Sequence, residues 1–249
     1  FLIFIFGVPH GAFDASIALT LGYYKNLISK LFFILIYLFL AIIVAMIWYL
    51  LPQFMLIIFL LISIFHFGLG DIRWSKSYKC LLSAYINGGI VIFGISFVHH
   101  NEVNLIYQIL LNNNNTDNIW MILKYGLLLW LISLPFHLYL NFHEFKKAYI
   151  IRIILLSLII YLTNAIFAFS FYFCFIHSFN HVKRILPSLR NNLSDKNIKN
   201  MFLFFTILTW VLGFLILTYL NYNSSLDHSI IKVTFIGLAA LTFPHMILV

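Results

Sequence analysis

Two histidines lie four residues apart in one of the most apolar stretches of the chain, His177 and His181 in "FCFIHSFNHVKR". On a helix, residues i and i+4 share one face, with Cβ atoms about 5–6 Å apart. Both rings can then direct a nitrogen at one metal ion, and neutral imidazole binds Fe, Zn, Cu and Ni. The spacing therefore indicates a candidate metal site, with hydrogen-bonded core histidines as the alternative.

Three further histidines lie in short motifs that contain glycine or proline: His10 in "GVPHGAFD", His66 in "IFHFGLGD" and His245 in "TFPHMILV". Their predicted depths place His66 and His245 near the leaflet that His177 and His181 reach, and His10 about mid-membrane in a span that leads toward the same side. Histidines on different helices of a bundle can complete one coordination sphere. The sequence thus predicts a histidine cluster in a bundle core.

A carboxylate, Asp14, lies four residues after His10 in a predicted membrane span. An ionised group at that depth costs roughly 2.5–3.5 kcal/mol and is normally paired. We expect Asp14 to accept the second N–H of a metal-binding imidazole, which fixes its tautomer. A hydrogen bond between helices is the alternative. Asp71, beside Arg73, is interpreted as an interfacial residue.

The composition predicts an integral membrane protein, because 63% of the 249 residues are hydrophobic and only 9% are charged. The predicted fold is an all-α polytopic transmembrane helix bundle, a single domain over residues 1–249 with the metal site in its core toward the cytoplasmic side. Nine spans of membrane length are expected. They cover about 1–21, 30–50, 53–70, 79–99, 118–140, 147–162, 165–185, 199–220 and 229–249. Eight spans is the alternative, because only "LTNA" (162–165) separates the sixth from the seventh. The absence of an initial Met predicts a truncated N-terminus.

Most of the 15 basic residues lie in alternate links between the predicted spans. Cytoplasmic loops collect Lys and Arg, so the alternation predicts a multi-pass protein of the cell inner membrane with a cytoplasmic C-terminus. The formal charge of +8 is then a signal of topology and predicts no nucleic-acid partner.

In this order and at these separations, "GVPHGAFD", "FHFGLGD", "FAFSFYFCFIHSFNH" and "FPHMILV" resemble the Brp/Blh family of integral-membrane β-carotene 15,15′-dioxygenases. The resemblance extends from His10 to His245. It implies an Fe(II) enzyme without haem that uses O2 to split the central double bond of β-carotene into two retinal molecules. The implied iron ligands are His10, His66, His177 and His181. Retinal could then pass to a rhodopsin, and no catalytic residue beyond the metal site is expected.

Three other functions use some of the same residues. A two-iron membrane oxygenase needs about eight histidines, and beyond the H-x-x-x-H pair this chain adds only His99 and His100, on the predicted opposite side. A proton-coupled transporter could relay protons through Asp14, and a non-catalytic carotenoid or retinal carrier would need only an apolar lining. His245 is expected to orient a ligand or to lie at the substrate mouth, because a fifth imidazole would close a position that O2 needs.

Overall fold

The computed structural model describes residues 2–72, 77–141 and 147–248, and every regular element in these ranges is a helix. The prediction of an all-helical protein is therefore confirmed over the described chain. Two compact units are present. The first comprises Phe1–Met55 and Ser178–Val249, and the second comprises Leu56–His177.

The first unit begins with a π-helix at Ile3–Gly7 and a 3-10 helix at Val8–Phe13. Its α-helices are α1 (Asp14–Thr20), α2 (Leu27–Leu50), α9 (Ser178–Asn192), α10 (Asp195–Asn221) and α11 (Leu226–Leu248). Helix α2 packs along α11, and α10 packs against the 3-10 helix.

The second unit contains most of α3 (Pro52–Asp71) and all of the helices that follow it up to His177. These are α4 (Tyr78–Val98), α5 (His100–Leu111), α6 (Asp117–Leu140), α7 (Lys147–Leu162), α8 (Ala165–Phe171) and a second π-helix at Tyr172–His177. Helix α4 packs against α5, α6, α7 and α8. It is therefore the central helix of this unit.

Seven described helices are long and apolar enough to cross a membrane: α2, α3, α4, α6, the continuous segment Ala165–Asn192, α10 and α11. The predicted count of nine is not confirmed. Residues 3–20 form three short helices of different type, because Gly7 and Pro9 interrupt regular α-helical geometry. The predicted sixth span is a helix of 16 residues, about 24 Å long.

The predicted break at "LTNA" is confirmed. Helix α7 ends at Leu162 and α8 begins at Ala165. Asn164 caps α8, since its Oδ1 accepts the Phe167 N–H at 2.8 Å, and the Glu102 carboxylate accepts the Ala165 N–H at 2.9 Å. Side-chain acceptors thus satisfy two of the amides that a helix start leaves open.

Helices α3 and α4 cross at two glycines. A Cβ added at Gly68 would overlap the backbone of Ala84, and one at Gly88 would overlap the backbone of Ile64. Ala84 and Gly88 are small residues four positions apart on α4, and such spacing allows close approach between apolar helices. The crossing fixes α3, and with it His66, against the central helix of the second unit.

Candidate metal centre

Two histidine rings meet within the second unit. His66 lies on α3 and His177 is the last residue of the second π-helix. Their Nε2 atoms are 3.2 Å apart, and their ring centroids are 4.8 Å apart. His177 is 1% exposed and His66 is half-buried, so the His177 ring lies away from bulk solvent.

The separation of the two Nε2 atoms suits a shared metal ion. Donors about 2.0–2.1 Å from one ion lie about 2.8–3.0 Å apart at octahedral angles and about 3.3–3.4 Å apart at tetrahedral angles. The same distance suits an N–H···N hydrogen bond between neutral rings. The pair can therefore share either a metal ion or a proton.

Aromatic side chains surround His177. Phe67 packs edge-on at a centroid distance of 5.0 Å, Phe173 stacks nearly parallel at 5.8 Å, and Tyr172 lies at 6.3 Å. These rings exclude water from the imidazole and restrict its rotation. Electrostatic and coordination interactions are stronger in such a dry environment than in water.

The backbone of α3 also approaches the His177 ring. A Cβ at Gly70 would lie 2.8 Å from both Cε1 and Nδ1 of this ring. Any side chain at position 70 would therefore displace the imidazole. The sequence motif "HFGLGD" thus supplies a histidine and, four residues later, the space for its partner.

His181, the other half of the predicted i, i+4 pair, belongs to the first unit, whereas His177 ends the second. The site that these two residues were predicted to share therefore stays a prediction. Within the first unit, the ring of His181 lies edge-on to that of His245 at a centroid distance of 5.1 Å, and both are buried.

Asp14 holds His245 in the first unit. Its Oδ1 lies 2.8 Å from His245 Nδ1, and its Oδ2 accepts the hydroxyl of Tyr37 at 2.7 Å. The side chains of Asp14 and His245 are both 4% exposed. A carboxylate that accepts Nδ1–H leaves the lone pair of a neutral imidazole on Nε2. Asp14 thus fixes both the orientation and the tautomer of His245.

This arrangement differs from the predicted pairing of Asp14 with His10. The side chain of His10 lies outside the described residues, so its role as a ligand stays a prediction. Both carboxylate oxygens of Asp14 have other partners, His245 and Tyr37. Sequence reasoning missed Tyr37, because one tyrosine in an apolar helix gives no signal of a partner 23 residues away.

Asp71 has partners on other helices of the second unit, and its interfacial position in the membrane stays a prediction. Its side chain is 4% exposed, and its Oδ2 accepts the hydroxyl of Tyr172 at 3.1 Å and lies 3.7 Å from a guanidinium nitrogen of Arg152. Its neighbour in sequence, Arg73, lies outside the described residues.

Among the described residues, no group of three or more His, Cys, Asp or Glu side chains is placed to hold a metal ion. The four-histidine ligand set therefore remains a prediction, and the structure brings only His66 and His177 of that set together.

Apolar helices of membrane length and buried histidines define a polytopic helical membrane protein. A model of the β-carotene 15,15′-dioxygenase family matches residues 1–249. A protein of that name from the uncultured marine bacterium 66A03 is 37% identical over 251 residues, which cover 100% of this chain and 90% of the relative. No solved structure matches the chain. The chain belongs to the β-carotene 15,15′-dioxygenase family, and it is an enzyme of the dioxygenase class. The resemblance found in the motifs is confirmed, and the carrier and transporter alternatives are not supported.

Proposed function

We propose that this protein is a non-haem Fe(II) dioxygenase that cleaves the central double bond of β-carotene with O2. The reaction balances as one C=C bond and one O2 giving two C=O groups, one on each retinal. The observation that carries the proposal is the 3.2 Å approach of the Nε2 atoms of His66 and His177. The name of the relative with 37% identity supports the substrate.

In this proposal His66 and His177 hold the iron through Nε2, and His10 and His181 complete the ligand set that the family motifs imply. Neutral imidazoles suit Fe(II). The bound ion supplies the activation of O2, which no side chain of this chain can supply. Phe67, Tyr172 and Phe173 exclude water from the His66–His177 pair, and this protects reactive species from hydrolysis.

The carboxylate of Asp14 acts one step away from the proposed ligands. It orients His245, whose ring packs against that of His181. His245 thereby limits the orientations that the His181 ring can adopt. Partners of this kind typically change metal affinity or activity 10–100-fold when they are removed.

β-Carotene is too apolar to approach from water, and it reaches the enzyme from the bilayer. The apolar faces of α2, α6 and α10 are mostly exposed, as lipid-facing helices require. The aromatic content of 19% provides flat surfaces against which a polyene can pack. Release of retinal to a rhodopsin is a further expectation of this proposal.

The function is tested by expressing the chain in cells that accumulate β-carotene. Loss of colour with formation of retinal is expected, together with about one iron per purified chain. Stripping the iron with a chelator should stop retinal formation, and adding Fe(II) should restore it. Retinal formation that survives complete iron removal would overturn the metal assignment, and colour that persists in cells producing the folded protein would overturn the substrate assignment.

We also propose that the protein lies in the cell inner membrane with a cytoplasmic C-terminus, as the distribution of Lys and Arg predicts. If the segment Ala165–Asn192 crosses the bilayer, the basic links at 141–147 and 183–199 are on one side only if α7 crosses as well. A reporter inserted at 112–115 should then be external, and reporters at Lys147 and after Lys199 should both be cytoplasmic. Opposite sides for the last two would show that the 16-residue helix α7 does not cross.

A further inference from the structure

A buried carboxylate at the end of α3 requires an explanation. Asp71 is the last residue of this helix, where the negative end of the helix dipole disfavours an anion. Its side chain is also 4% exposed, and burial of a charge without partners is costly. A residue in this position destabilises the helix unless other groups compensate for it.

Two groups compensate for the charge of Asp71, and they come from other helices. Tyr172, the first residue of the second π-helix, donates its hydroxyl to Oδ2 at 3.1 Å and is 0% exposed. Arg152 on α7 places a guanidinium nitrogen 3.7 Å from the same oxygen. A second guanidinium nitrogen of Arg152 donates to Asn87 Oδ1 on α4 at 3.0 Å. The carboxylate thus connects α3 with the π-helix, and Arg152 connects both with the central helix.

These connections lie on the two elements that carry the histidine pair. His66 is five residues before Asp71 on α3, and His177 is five residues after Tyr172, at the other end of the π-helix. A π-helix has poorer hydrogen-bond geometry than an α-helix and occurs mostly as short segments, frequently at functional sites. An anchor at its first residue therefore bears directly on where its last residue lies.

We propose that Asp71, Tyr172 and Arg152 are positioning residues that set the separation of the His66 and His177 nitrogens. This inference rests on the proposed function, since it assigns a metal ion to the nitrogen pair. None of the three residues is proposed to touch the metal or the substrate. Their effect is on the affinity and geometry of the site, through the placement of α3 against the π-helix.

The test uses Co(II) as the probe metal with the full chain purified in detergent. Affinity is measured by titration, and the visible absorption bands report ligand geometry, which a loss of general stability would leave unchanged. We expect Tyr172→Phe and Asp71→Asn to weaken Co(II) binding about tenfold and to shift the bands. Arg152→Lys keeps a charge beside Asp71 and should bind Co(II) nearly as the wild type does, whereas Arg152→Gln should not.

Tyr85→Phe is the matched control, because Tyr85 also donates its hydroxyl within the second unit, to the Gly126 carbonyl at 2.7 Å. This variant should bind Co(II) like the wild type. If Tyr172→Phe and Asp71→Asn bind Co(II) with the affinity and spectrum of the control, the positioning role is overturned while the metal centre stands. If the wild type binds no Co(II) or Fe(II), the metal centre is overturned, and this inference with it.

Discussion

The two units hold their buried histidines in different ways. In the second unit, the Nε2 atoms of His66 and His177 face each other at 3.2 Å. In the first unit, His245 is fixed through Nδ1 by the Asp14 carboxylate at 2.8 Å, and its ring lies edge-on to that of His181. One arrangement brings two nitrogen donors together, and the other directs a carboxylate at one ring.

The two arrangements suit different roles: one can hold a metal ion or a proton between two rings, and the other orients a single ring. Facing nitrogens require something to share, a metal ion or a proton, because two lone pairs at this distance repel each other. A carboxylate-bound imidazole has its partner already and gains a fixed tautomer from it. We therefore expect removal of either His66 or His177 to remove the metal, and removal of His245 to leave the metal in place with slower turnover.

The largest effect is expected from His66→Ala and His177→Ala. Each change removes one of the two facing nitrogens, and both variants should lose their iron and all detectable retinal formation. His10→Ala should do the same if the family ligand set holds. Iron per chain is measured on purified protein, and retinal is measured in β-carotene-producing cells.

His100→Ala is the control for these histidine variants. His100 is exposed and stacks on Trp120 at a centroid distance of 4.0 Å, in the same unit. Its removal should leave iron content and retinal formation unchanged. Full iron retention in a His66→Ala/His177→Ala double variant would show that the facing nitrogens share a proton and form a packing contact.

The next largest effect is expected from Gly70→Ala. The added Cβ would lie 2.8 Å from the His177 ring, so the imidazole must move, and overpacking of this kind typically costs about 1–3 kcal/mol. We expect most of the iron and at least tenfold of the activity to be lost, which corresponds to about 1.4 kcal/mol or more.

Gly237→Ala provides the comparison, because a Cβ at Gly237 meets no atom within 4 Å. It should leave iron and activity unchanged when it is purified and assayed in the same way. Equal iron contents in the Gly70→Ala and Gly237→Ala proteins would contradict the assigned position of the His177 ring.

Hydropathy predicted much of the fold. The spans of α2, α3, α4, α6, α10 and α11 follow from apolar runs of membrane length, and the break at "LTNA" marked the start of α8. The first predicted span was not found as one helix, because hydropathy does not register how Gly7 and Pro9 divide an apolar run. The π-helix at Tyr172–His177 was also not predicted, since its residues suit an α-helix equally well.

Candidate site residues were predictable where a short sequence motif marks them. His66 and His177 were chosen from their motifs, and the structure brings these two together. For Asp14 the sequence predicted a bond to an imidazole or a hydrogen bond between helices, but it named neither His245 nor Tyr37, because both lie far from Asp14 along the chain. No partner was predicted for Asp71, and Tyr172 and Arg152 are equally distant in sequence. Those pairings depend on how the helices pack, which one sequence does not specify.

A smaller effect is expected from His245→Ala. Retinal formation should fall about 10–100-fold, the usual range for a residue that orients a ligand, while most of the iron stays bound. Asp14→Asn should behave similarly, and combining it with His245→Ala should add little, because both changes disrupt one interaction. A His245→Ala protein that loses its iron as completely as His66→Ala would make His245 a fifth ligand.

The smallest effect is expected from Tyr37→Phe. This change removes the hydroxyl that donates to Asp14 Oδ2 but leaves Asp14 Oδ1 in contact with His245, and a lost hydrogen bond to a charged group is worth about 1.5–3 kcal/mol. Part of that loss falls on stability, so we expect turnover to drop only about threefold to tenfold, with iron retained.

Tyr24→Phe is the matched control, because Tyr24 donates at the same distance of 2.7 Å to the carbonyl of Ala15 in the same unit. Burial raises the pKa of Tyr24 to about 12, so its hydroxyl is a donor across the assay range, and its removal should affect thermal stability but not turnover per folded enzyme. Equal turnover in the two variants would show that the Tyr37 hydroxyl stabilises the first unit without acting through Asp14 and His245.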